Sequence, residues 1–423
     1  MCDTFSLSSD YSEEGATCFA KNSDRSPNEP HLVIHVPGKK YPAGAEVSCT
    51  YISIPQVNHT REMILFKPSW IWGAEMGVND ARVAIGNEAV FTKTETPAKR
   101  RAPALTGMDM LRLALERAGT AAAAVETLIM LLKTYGQGGN CGFEHPFFYD
   151  NSFLIADPKE VYIMETAGKN YAVKRGQGKC AISNRLTIET GHIARSGIGE
   201  KENFAKRYTE PVYSHFSGAR ERRQQVLNAL SPSLDAAGLI GILRSHEPGL
   251  AGQEFSRGSV KSVCMHGGGL IGDHTTGSLV AILRENKPVT LWCTGASTPC
   301  ISAFKPVFWG ANAAPVFPDP VRSEAYWLKR EKLHRAVIAG LVDAASLREK
   351  IKTMETSWLM QERQLMDEAI PDTARLHSLA RKAGLQEQAL IDELTVPGWQ
   401  NAKGPGRYAR YWRVKNESLV RSF

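Results

Sequence analysis

The chain has 423 residues, 43% of them hydrophobic and 22% charged, with a formal net charge of +7. These are the proportions of an ordinary soluble globular protein, and the length calls for one large domain with an appendage, or for two domains. No apolar run reaches the eighteen or more residues of a helical membrane span, so none is expected.

The first ninety residues read as strand-rich. Residues 2–7 suit a strand, and the short apolar run Thr17-Cys18-Phe19-Ala20 is followed by what reads as a polar turn, Lys21-Asn22-Ser23-Asp24-Arg25. Further strands are expected at 32–36, 49–54 and 83–86, each bounded by turn formers. Helices follow. Met108, Leu111, Leu115 and Ala118 share one helical face, and Val125, Leu128, Ile129 and Leu132 mark a second helix that stops at Gly136. Strands resume at 152–156 and 161–165, joined by the hairpin turn Asp157-Pro158-Lys159-Glu160, and continue at 172–175 and 180–184. Residues 220–245 read as helix, 278–283 with 288–293 as a hairpin, and 323–394 as almost wholly helical. This order lacks the strict alternation of a doubly wound sheet. It predicts an α+β chain with two packed antiparallel sheets flanked by helices, a core over 2–320 and a helical extension over 321–423.

The start of the chain is acidic (Asp3, Asp10, Glu13, Glu14), unlike an export signal, and the eight cysteines show no repeated spacing. Reduced thiols and a cytoplasmic location are the expectation. At the other end Lys403, Arg407, Arg410, Arg413, Lys415 and Arg421 interleave with Tyr408, Tyr411 and Trp412. This stretch superficially resembles a nucleic-acid tail, but a packed terminal arm is the expected role, with no nucleic-acid partner.

Position 2 carries the chemistry. Loss of Met1 would leave Cys2 with a free α-amino group, so that a thiol of ordinary pKa about 8.5 and an amine near 7.7–8.0 share one residue. The amine can take the thiol proton without a histidine, which is the arrangement of an N-terminal nucleophile cleaving an amide bond.

Several strings then resemble the secernin family, of the peptidase C69 type, within the Cys N-terminal-nucleophile hydrolases. They are Cys2-Asp3-Thr4-Phe5, Lys21-Asn22-Ser23-Asp24-Arg25, Cys49-Thr50-Tyr51-Ile52-Ser53-Ile54, Trp70-Ile71-Trp72-Gly73-Ala74-Glu75-Met76-Gly77-Val78-Asn79 and Asn87-Glu88-Ala89. Gly107-Met108-Asp109-Met110, Gly136-Gln137-Gly138-Gly139-Asn140 and Asn151-Ser152-Phe153-Leu154-Ile155-Ala156-Asp157 continue the likeness, which thins out through Ser278 and Phe304-Lys305-Pro306. The resemblance implies a four-layer αββα fold and hydrolysis of C–N bonds in dipeptides or small N-acyl amides, with no cofactor. It equally implies an alternative: a secernin-like protein with little or no catalysis, acting through protein contacts in secretion. A homo-oligomer is compatible with either.

The same resemblance implies roles. Cys2 is the nucleophile, Asp24 anchors its amine, and Lys21 favours the thiolate where relatives carry an Arg. Asn87, with Asn79 behind it, is the expected oxyanion donor, and Asn184 falls near the nucleophile. A later structural Arg is Arg220 or Arg222. Cys141 with His145 lacks the context of a papain-like pair, and Cys264-Met265-His266 with His274 offers too few ligands for a metal.

Overall fold

The computed structural model describes residues 1–93, 101–401 and 406–422. The chain forms two compact units. The first holds residues 1–21, 35–233 and 283–285, and the second holds 22–34, 234–282 and 286–423. The expected division at residue 320 is therefore corrected: strands and loops from 234 onward join the C-terminal helices because they pair and pack with them.

In the first unit, β1 (Cys2–Leu7) pairs antiparallel with β14 (Lys179–Ile182), with Thr4 opposite Ile182 and Leu7 opposite Lys179. The first half of β2 (Thr17–Arg25) flanks β1 on its other side. A second sheet runs in the order β15 (Ala194–Ser196), β13 (Asn170–Gly176), β12 (Val161–Ala167), β11 (Asp150–Ala156), β10 (Ala84–Val90), β9 (Met76–Asn79) and β8 (Met63–Pro68), antiparallel throughout. Two small hairpins stand apart, β4 (Lys39–Lys40) with β7 (His59–Thr60) and β5 (Glu46–Ser48) with β6 (Ser53–Pro55). The expected strand over 49–54 is thus a hairpin turn followed by a short strand.

Helices α1 (Gly107–Arg117) and α2 (Ala121–Tyr135) cover the outer face of this sheet, and α5 (Ala219–Ala229), after the short α3 (Phe204–Tyr208) and α4 (Pro211–Phe216), covers β14 and β1. β1 also packs directly on β10 and β11. The layers are helix, sheet, sheet, helix, so the expected α+β class and αββα layering hold within this unit. α1 begins on a capping box: Thr106 Oγ1 accepts from Asp109 N, and Asp109 Oδ2 accepts from Thr106 N, both at 3.0 Å. Gly107 is required there, since a Cβ would lie 1.8 Å from Asn151 Oδ1. α2 stops at Gly136, whose φ is 73°.

The second unit takes up β2 from Asn22. The polar run read as a turn is strand instead, because each side chain finds a buried partner: Asn22 Nδ2 donates to Leu243 O and Val263 O at 2.9 Å, and Arg25 forks onto Glu29 at 2.8 and 2.6 Å. β3 (His31–Val36), α6 (Ala236–Leu243) and the antiparallel set β16 (His274–Leu283), β17 (Thr290–Cys293) and β18 (Lys305–Val307) follow. Then come α7 (Pro320–Ile338), α8 (Ala344–Asp367), α9 (Thr373–Leu394) and α10 (Gly406–Ser422). Lys305, fully buried, pairs with Glu387 and ties β18 to α9. The basic C-terminal stretch is a packed arm, with Trp412 buried beside Ile338, Phe255 and Tyr408. Lys403 lies outside the described residues. Among the described residues no helix is long and apolar enough to cross a membrane.

Candidate functional site

The antiparallel register that sets Thr4 against Ile182 brings Asn184, just past β14, opposite position 2. The backbone nitrogen of Cys2 donates to Asn184 Oδ1 at 2.9 Å. Asn184 is held from both ends. Its Nδ2 donates to Ala89 O at 3.0 Å, and its Oδ1 also accepts from Arg222 Nη2 at 2.7 Å. Arg222 is fully buried on α5 and spreads its guanidinium over Ser183 Oγ (3.0 Å), Ser217 O (2.6 Å) and Asp3 Oδ2 (2.8 Å). Only the planar five-donor fork of an arginine reaches four acceptors in this way.

Strand alternation sends Asp3 towards Arg222 and sends Cys2 and Thr4 to the opposite face, towards β10. There Thr4 Oγ1 and Lys21 Nζ donate to the same oxygen of Glu88, the lysine at 3.2 Å, and all three residues are fully buried. Burial works against the Lys21 charge, but Cys2, Glu88 and Glu75 face it and hold its pKa above the ordinary lysine value. Burial raises Glu88 to about 7, with Lys21 its main opposing influence. The asymmetry is physical: Lys21 is faced by two carboxyl groups and the Cys2 sulfur, whereas Glu88 has one cation. The ammonium stays charged, and a thiolate at Cys2 is the anion it favours next.

Residues 1–194, which hold every one of these groups except Arg222 and Ser217, match peptidase family C69. This stretch belongs to peptidase family C69. The chain is also similar to a dipeptidase of Bifidobacterium longum, 27% identical over 225 residues, which are 48% of this chain and 40% of that protein. The chain thus spans well under half the length of this curated relative. Among solved structures it is similar to a mutant conjugated bile acid hydrolase from Clostridium perfringens (12% identity, 69% of this chain and 88% of that one, TM-score 0.39). It is also similar to the penicillin V acylase of Agrobacterium tumefaciens (14%, 75% and 94%, TM-score 0.40). Overlaps of that size carry no weight for function.

Within this C69 segment the expected residues separate. Cys2, Lys21 and Asn184 come together. Asn87 does not join them: it lies on the opposite face of β10 from Glu88, where its Nδ2 donates to Asn151 Oδ1 at 3.1 Å beside the start of α1. Asn79 is spent on structure, its Nδ2 donating to Leu115 O and Ala118 O and its Oδ1 accepting from Ala81 N and Val83 N, so the expected place behind Asn87 at the oxyanion, facing substrate, is corrected to a loop clamp. Arg220 is exposed on α5, and Arg222 is the buried arginine. Asp24 belongs to the second unit, where Oδ1 accepts from Thr275 Oγ1 at 2.6 Å. Cys141 is buried with Ile71, Met108 and Tyr149 in an apolar cluster. Glu88 and Glu75 both lie in stretches that carry the family likeness, but nothing local in the sequence pairs either with Lys21.

Proposed function

We propose that this chain is a cysteine N-terminal-nucleophile amidohydrolase that cleaves the C–N bond of small peptides, dipeptides first, or of small N-acyl amides. One observation carries the reading: the nitrogen of Cys2 is fixed at 2.9 Å on the buried carbonyl of Asn184, at the head of β1. The similarity to a dipeptidase of Bifidobacterium longum supports dipeptides as the first substrates to try.

Loss of Met1 turns the Cys2 amide nitrogen into an amine in the same place, and removes the Met1 Sδ that sits 3.7 Å from Arg222 Nη1. The Arg222 guanidinium shares the Asn184 oxygen with that nitrogen and so works against a second positive charge there, which favours the neutral amine needed as a base. The amine takes the thiol proton as sulfur adds to the substrate carbonyl. It returns the proton to the leaving nitrogen as the C–N bond breaks, and the thioester remains. Water, deprotonated by the same amine, then adds to the thioester, and the acid leaves with restoration of the thiol. Lys21 supports the thiolate, and Asp24 stays in the proposal on its sequence string alone. None of the eight cysteines is joined in a disulfide, which supports a reducing, cytoplasmic setting.

The test is a panel of dipeptides and N-acyl amides offered to protein whose Met1 loss is verified by intact mass. Turnover is expected from wild type and lost in Cys2→Ala. Equal turnover by Cys2→Ala ends the reading, and retention of Met1 in the native protein favours the non-catalytic adaptor.

A further inference from the structure

A second constellation lies wholly in the other unit. His246, Cys264, His266 and Cys300 place one ligand atom each within 4.8 Å of all the others. They come from three separate stretches: the loop after α6, the Cys264-x-His266 segment and the turn before β18. His266 Nε2 lies 3.4 Å from Cys264 Sγ, 3.4 Å from Cys300 Sγ and 3.2 Å from His246 Nε2.

Protons alone do not satisfy this arrangement. An imidazole nitrogen either donates one hydrogen bond or accepts one, yet three polar atoms converge on His266 Nε2. A cation at their centre resolves the conflict. Four ligands placed tetrahedrally at about 2.3 Å for sulfur and about 2.05 Å for nitrogen would stand about 3.6 Å apart for each S–N pair and about 3.3 Å apart for N–N. The three distances that meet at His266 Nε2, 3.4, 3.4 and 3.2 Å, match those edges within about 0.2 Å, and the other ligand pairs lie within 4.8 Å.

We propose that His246, Cys264, His266 and Cys300 form a tetrahedral Cys2His2 site for a divalent zinc ion. Two thiolates neutralise the dication, and the mixed soft sulfur and imidazole set in tetrahedral array suits zinc over calcium or magnesium. The surroundings fit as well. Glu254 stands 3.8 Å from His246 Nδ1, placed to fix that ring with Nε2 towards the ion. Arg348 Nη2 lies 3.6 Å from Cys300 Sγ and 3.9 Å from Glu254, which offsets negative charge around the sulfur. A cleft of roughly 300 Å³, lined by Arg244, His246, Glu254, Cys300 and Arg348, reaches the cluster and gives an entry path. All four protein ligands are in place, so the site is structural. It pins a stretch, residues 245–273, that has almost no regular secondary structure of its own. The sequence reading failed here because it paired Cys264 and His266 with His274. That ring is engaged elsewhere: Nδ1 accepts from Gly267 N at 3.1 Å, and Nε2 meets Thr298 Oγ1 at 2.7 Å.

The experiment is elemental analysis of the full chain, free of any histidine tag and purified without chelator, with about one zinc per chain expected. Cys264→Ser and Cys300→Ser should each lose the metal, while Cys2→Ala keeps it, which separates this site from the proposed catalytic one. Should the serine variants fold poorly, the wild type still decides. A strong chelator should lower its melting temperature, added zinc should restore it, and cobalt exchange should give the visible bands of a tetrahedral thiolate complex. Absence of zinc with no thermal response to added zinc would overturn the proposal, as would a mass 2 Da low from a disulfide joining Cys264 and Cys300.

Discussion

Arg222→Met exposes how much the buried charge beneath Cys2 matters to folding. Asp3 is 1% exposed, its Oδ2 accepts from Arg222 Nε at 2.8 Å, and its Oδ1 has no hydrogen-bond partner among the described residues. Methionine keeps much of the volume and removes every donor, leaving a carboxylate buried without its cation. Breaking a buried pair from one side costs about 3–5 kcal/mol. For a unit of this size each kcal/mol moves the melting temperature by about 2–4 °C, so a fall of roughly 6–20 °C is expected by calorimetry. The double variant Arg222→Met with Asp3→Asn no longer strands a charge and should recover at least half of that loss, although Ser183, Ser217 and Asn184 still lack their donor. A single-variant cost below about 1 kcal/mol, or a double variant no more stable than the single, would refute the reasoning.

Two further outcomes follow from the other face of β1. Burial raises Glu88 to about 7 from an ordinary 4.5, so the folded state holds that proton more tightly than the unfolded state. Its stabilising contribution is complete below about pH 4.5, declines as pH rises, and is gone above about 7; the span is about 3 kcal/mol. Glu88→Gln should therefore flatten the decline of stability between those limits relative to wild type, and parallel wild-type and variant curves would contradict the assignment. Thiol mapping offers the second check. Burial, with Asp109 and Glu116 adding to it, pushes Cys49 up to about 12, and burial pushes Cys293 up to about 12. In Met1-processed protein, brief alkylation at pH 8 should mark Cys2 well ahead of both. Lys21→Met should slow the Cys2 reaction roughly tenfold, the effect of one pKa unit on the thiolate fraction; an unchanged rate would remove Lys21 from its role.

Much of this was legible where a local pattern sufficed. The helical faces of α1 and α2, the hairpin at Asp157–Glu160 and the β16–β17 pairing follow from periodicity and turn chemistry. Legibility failed where burial runs against composition. Lys21 to Arg25 look like a loop because five polar side chains in a row seldom enter a core, and only partners as remote as Glu88 and Thr275 make that strand affordable. Along β10 the residues 84–88 are buried on both faces, so no alternation marks Glu88 rather than Asn87 as the one facing β1. The arginine was decidable in principle: Ala219, Arg222 and Val226 share one helical stripe and Arg220 lies off it.

The position of Cys2 is set by two locks on opposite faces of one strand. Thr4 bonds Glu88 on one side, and Asp3 meets Arg222 on the other. A slip of one residue would drive Asp3 against Glu88 and Thr4 against the guanidinium, so the register is tightly specified. This permits a test of the terminal nitrogen apart from the thiol. Inserting one alanine between Met1 and Cys2 leaves both locks and the sulfur where they are, so stability should stay within about 0.5 kcal/mol of wild type. The nitrogen at position 2, however, becomes an amide with no basic lone pair, and turnover should vanish even after Met1 is removed. An insertion variant that still cleaves dipeptides would show that some other group takes the thiol proton, and the N-terminal-nucleophile mechanism would have to be given up while the buried Arg222 network stood unchanged.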